Sequence, residues 1–116
     1  MSMVSELQEL GADVNDAMQR FMNNASLYER MLGKLPATVN DKPVMEFIEA
    51  GDIKTAIENA HTLKGVMGNL SVTPLYKAYT EITNLLREDK PEEAKRVLEE
   101  CLPIQEQVMT CIENNK

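Results

Sequence analysis

The chain has 116 residues, with 12 Lys and Arg against 19 Asp and Glu and a formal charge of −7. That length suits one domain, 1–116, at roughly 100–200 residues per domain, and 43% hydrophobic residues with only 4% aromatics, no Trp and eight Met point to an aliphatic helical core rather than a sheet. A pI near 4.7 argues against binding nucleic-acid phosphates or an anionic membrane surface, which needs clustered Lys and Arg.

Residues 1–10 carry acids where a secretory leader would carry a basic stretch, and no apolar run approaches the roughly 18 residues of a membrane span. Gly11 then precedes Asp13, an N-cap for a short helix through Phe21. The next helix is expected over 24–35, ended by Pro36, with a loop at 37–42. Pro43 suits the first turn of a helix reaching Ala50. Gly51 is a left-handed stop and Asp52 the cap of a segment running to about Leu70. Thr73-Pro74 reads as a cap followed by proline in the first turn, opening a helix to about Glu88. Lys90-Pro91-Glu92-Glu93 repeats the device, with acids near the positive end of the helix dipole. The last helix is expected to reach about Ile112, with Pro103 removing one backbone bond and bending it.

Apolar spacing agrees with this division. Ile53, Ala56, Ile57, Ala60, Leu63, Met67 and Leu70 form one helical stripe. Leu75, Ala78, Tyr79, Ile82, Leu85 and Leu86 form a second, and Ala94, Val97, Leu98, Cys101, Leu102, Val108 and Cys111 a third. Short connections between amphipathic helices favour antiparallel neighbours, so the expected fold is all-α: an up-and-down antiparallel four-helix bundle with an additional short N-terminal helix. Cys101 and Cys111 lie ten residues apart on one helix, about 15 Å, beyond the roughly 7 Å reach of a disulfide. Two unpaired cysteines read as small buried apolar groups and fit a reducing cytoplasm.

The chain has a single histidine, His61. One His and two Cys at no familiar spacing are poor material for zinc, and no metal site is expected. Neither a phosphate loop, a nucleophile elbow nor an HExxH pattern occurs. At about 100° per residue, the apolar stripe lies well to one side of His61, while Gly65 and Gly68 fall within roughly 40° of it. Lys64 lies between, its stem along the core edge and its ammonium able to reach towards the imidazole. Each glycine costs a helix interior about 1 kcal/mol relative to Ala. Two readings fit this spacing: a surface His beside packing glycines, or a reactive His kept clear for an approaching partner.

The segment His61-Thr62-Leu63-Lys64-Gly65-Val66-Met67-Gly68-Asn69-Leu70 resembles the His-x-x-Lys-Gly motif of bacterial histidine-containing phosphotransfer (HPt) domains. The resemblance extends upstream through Gly11, Asp13, Arg20, Phe21, Tyr28 and Leu32, and through Gly51-Asp52. It departs at Ser71, where many members carry a glycine that closes the helix; the change is expected to affect the turn rather than the histidine.

The resemblance implies a phosphocarrier rather than an autonomous enzyme. His61 would accept a phosphoryl group from the aspartyl phosphate of a response-regulator receiver domain, such as that of a hybrid histidine kinase, and pass it to another receiver. An exposed imidazole offers a ring nitrogen as nucleophile. Lys64 would support the added charge and Gly65 would give clearance. Thr62, Gly68, Asn69 and Val72 are the expected partner-binding residues, with a neighbouring helix at the level of His61 drawn from 43–47. The chain would hold no cofactor of its own, Mg²⁺ coming with the receiver. The default state is a monomer. A different class of function is a helical adaptor on the same scaffold that binds signalling partners without phosphotransfer, although such an adaptor has no need of His61, Lys64 and Gly65 together. A small hydrolase using His61 would lack an evident oxyanion site or second base.

Overall fold

Side-chain caps and left-handed residues divide this chain into helices. In the computed structural model, which describes residues 2–115, eight helices and no strand occur among the described residues: α1 (Met3–Glu9), α2 (Val14–Arg20), α3 (Ala25–Leu32), α4 (Leu35–Asp41), α5 (Met45–Glu49), α6 (Ile53–Asn69), α7 (Thr73–Arg87) and α8 (Pro91–Asn114). Asp13, Asn24 and Asp52 cap α2, α3 and α6, their side-chain oxygens accepting the N–H of Asp16, Leu27 and Thr55 at 3.0, 3.0 and 3.2 Å. Gly11 and Gly51 take positive φ, +106° and +79°, as helix stops. Ser71 and Asp89 adopt the same left-handed region at φ 56° and 61°, turning the chain after α6 and α7.

The last three helices form the frame. α7 packs against both α6 and α8, while α4 and α5 each lie against α6 and α8. α8, with 24 residues, is about 36 Å long and accounts for most of the 41 Å long axis. One cluster of buried side chains, including Leu7, Tyr28, Leu35, Leu63, Met67, Leu75, Ile82 and Ile112, runs through all of these elements. Cross-links satisfy its polar groups. Tyr28 Oη donates to Leu70 O at 2.6 Å, and Asn59 Nδ2 donates to Pro43 O at 2.7 Å, tying the start of α5 to α6. Tyr79 donates to Gln105 across α7 and α8. Cys101 and Cys111 are free and buried, and burial is the chief cause pushing both thiols up to about 11. They remain protonated and inert at neutral pH.

Four local readings change. Residues 37–42 are not a loop: Pro36 opens α4 instead of ending α3. A proline in the first turn loses no hydrogen bond, and burial of Leu35 and Pro36 with partial burial of Val39 holds this polar stretch helical. Thr73 does not cap α7; Val72 is the flanking residue, with no side-chain bond to the helix. Leu102 is 40% exposed, because it lies about 80° from the Ala94 direction, at the edge of the buried stripe of α8. α1 answers no expected element. Its Met3 and Leu7, one turn apart, are buried, and the helix packs against α8.

Candidate functional site

The site is built on α6, which starts after its Asp52 cap. Ala56, Ala60, Leu63 and Met67 bury one face, which leaves the opposite face to solvent by helical geometry alone. His61 stands exposed on that face, the ninth of 17 residues. Its imidazole makes no hydrogen bond among the described residues, so its ring nitrogens are open to solvent or a partner. Lys64, one turn on, is half-buried and has no ion pair among the described residues. Its stem can follow the core edge while the ammonium remains unspent. Thr62 is exposed beside His61, its hydroxyl donating to Glu58 O at 3.0 Å.

The two glycines differ. A Cβ built on Gly65 meets nothing within 4 Å. No group of this chain requires glycine there, and the surface one turn beyond His61 is open. At Gly68 a Cβ would stand 2.9 Å from Tyr76 Cδ1 and 3.0 Å from Cε1. Gly68 therefore seats the ring of Tyr76 from α7, and its smallness has a reason inside the fold.

Asn69 is exposed at the end of α6. Val72, expected on the docking patch, is 1% exposed. As the residue flanking α7 its side chain turns into the core, and it leaves that patch. Pro43, expected in the first turn of a helix, instead precedes Val44, the residue flanking α5, and it is tied to α6 by the Asn59–Pro43 bond, two residues before His61.

Residues distant in sequence complete the surface. Asp16 and Arg20 of α2, Gly65, Gly68 and Asn69 of α6 and Tyr76 of α7 line a cleft of about 430 Å³. Asp16 Oδ2 accepts from Arg20 Nε at 2.8 Å and from Ser71 Oγ at 2.6 Å. The Ser71 hydrogen bond, then the Arg20 guanidinium, hold the Asp16 carboxyl below its usual range. Asp16 and Tyr76 escape a reading of α6 alone; Asp16 is signalled only by its i, i+4 spacing to Arg20, and that spacing says nothing of Tyr76.

Among the described residues no group of three or more His, Cys, Asp or Glu side chains could hold a metal ion. No helix among them is long and apolar enough to cross a membrane. One imidazole, one ammonium without an ion pair among the described residues and an open surface lie together on this face.

In comparison with known families, the family model described as "Hpt domain" aligns with residues 2–114. No curated protein and no solved structure gives a significant match.

Proposed function

Because the chain belongs to the Hpt domain family, whose members are phosphocarriers of histidine phosphotransfer in two-component phosphorelays, we propose that His61 is the acceptor and that receiver domains are its donors and acceptors. A ring nitrogen of His61 attacks the phosphorus of a receiver's aspartyl phosphate. The N–P bond forms as the acyl P–O bond breaks, the aspartate leaves as carboxylate and the imidazole proton passes to water. The reverse sequence on a second receiver delivers the group onward. Lys64 offsets the charge of the phosphoryl group, and clearance above Gly65 admits the receiver's acidic pocket with its Mg²⁺, so the chain needs no metal of its own. The observation that carries this reading is the exposed, unbonded His61 with an unpaired Lys64 and open space at Gly65, all within one turn of α6.

In this reading residues 1–116 form one unit that acts as a monomer in the cytoplasm. α6, α7 and α8 are three members of an up-and-down four-helix bundle, and α4 with α5 supplies the fourth as two short pieces. The test is transfer from a phosphorylated receiver, screened across the receivers of the source genome. The wild-type chain should acquire an acid-labile label, and His61→Gln should acquire none. Stable labelling of His61→Gln, or binding of receivers without any labelling of the wild type, would overturn the assignment, the second result favouring an adaptor.

A further inference from the structure

Arg20 has chemistry that the transfer step does not use. It is the last residue of α2, on the rim of the cleft that runs over Gly65 and Gly68. Its Nε donates to Asp16 Oδ2, and Ser71 Oγ donates to the same oxygen. Two donors from different helices' ends thus anchor the carboxylate, and the carboxylate in turn orients the guanidinium. The terminal nitrogens of Arg20 make no hydrogen bond among the described residues, and its side chain is 50% exposed. Asn69 adds an amide to the same cleft.

A guanidinium bound through Nε alone still presents two terminal nitrogens as a planar fork, which matches a carboxylate. The neighbouring Asp16 and a net charge of −7 disfavour a polyanion, whereas a single carboxylate opposite one fork suits this balance of charge. The cleft covers Gly65 and Gly68, four and seven residues beyond His61, about 6–10 Å along the helix axis.

We propose that Arg20 is a specificity-determining contact that binds a surface carboxylate of the protein exchanging phosphoryl groups with His61, at a cleft about 6–10 Å along α6 from the reacting centre. The proposal rests on the phosphotransfer reading for the identity of the partner. It makes Asp16 and Ser71 positioning residues, acting through the orientation of Arg20.

The experiment has two arms. In the first, transfer from the receiver that labels His61 fastest is followed against receiver concentration. Arg20→Gln should raise KM about five- to tenfold with kcat unchanged. Arg20→Lys, which keeps the charge and loses the fork, should recover only part of that loss. An unchanged KM in Arg20→Gln, or full recovery by Lys, would overturn the proposal. The second arm needs no transfer. N-acetyl-aspartate α-methylamide, which carries one carboxylate, titrated to tens of millimolar, should shift the Arg20 side-chain and Asn69 amide NMR signals in the wild type, and the Asn69 shift should vanish in Arg20→Gln. Absence of these shifts in the wild type would also overturn it. If no receiver labels His61, the phosphotransfer reading fails while the titration still decides whether the cleft takes a carboxylate.

Discussion

Ser71 shows how one side chain can carry two opposed effects. At φ 56° it occupies a conformation that costs a non-glycine residue about 1 kcal/mol, yet its hydroxyl bonds Asp16 and its carbonyl accepts the Asp13 N–H at 2.9 Å. Ser71→Gly relieves the backbone and loses only the hydroxyl. Stability should therefore change by less than about 1 kcal/mol by chemical denaturation, while the Asp16 carboxyl, followed by NMR, should titrate closer to its ordinary 3.8. The depressed Asp16 pKa contributes stability above pH 3.8, and that contribution is lost as pH falls through the folded-state value. The two glycines make a second pair of predictions. Gly65→Ala meets no neighbour and should stabilise α6 by about 0.5–1 kcal/mol. Gly68→Ala must push aside the Tyr76 ring, which offsets that gain, so its midpoint should lie below that of Gly65→Ala. Gly65→Leu should slow transfer without unfolding the protein.

At the scale of elements, Tyr28 matters because α3 is only eight residues long and cannot be stable alone. Its hydroxyl closes the end of α6 at Leu70 O. Tyr28→Phe should cost about 1–2 kcal/mol in denaturant unfolding, since a buried carbonyl loses its donor. Burial, with Asp13 and Asp16 nearby, also pushes the Tyr28 phenol up to about 12. Its contribution is complete below pH 10 and is lost as pH rises through 12, so stability measured against pH should decline above about 10. The long helices were legible because a full turn-by-turn stripe repeats along them. The short ones were less so. Met3 and Leu7 of α1 supply too few repeats to announce a helix, and the polar Thr38, Asn40 and Asp41 of α4 look like a loop until α6 and α8 bury Leu35 beside them. His61, Lys64 and Gly65 could be read as neighbours because one helix spaces them. Arg20 could not be placed near Gly68, because that proximity depends on how α2 packs, and Val72 could not be assigned to the interior from its position after α6.

For the whole molecule, the charge of −7 concerns encounter rather than folding. A receiver's phosphorylation pocket is itself acidic in the reading proposed above, so overall attraction cannot bring the two together. Moderate salt should leave the association rate unchanged or raise it slightly by screening like charges, as measured by stopped-flow mixing with a labelling receiver. A steep fall in rate with salt would contradict that reading. The favourable charges are local, Lys64 beside His61 and Arg20 across the cleft, so Arg20→Gln should make the rate more responsive to salt, with less attraction left to offset the repulsion.

The position of His61 at the centre of α6 has a mechanical consequence. A residue near a helix end can move by fraying, but the amides around position 61 lie in unbroken intrahelical bonding. The imidazole can therefore move only by rotation about its own two side-chain torsions. The protein offers its cargo from a rigid mounting, and the approach needed for in-line attack falls to the partner and to those torsions. Amide hydrogen exchange along α6 should accordingly be the same before and after phosphorylation, while the His61 ring signals change.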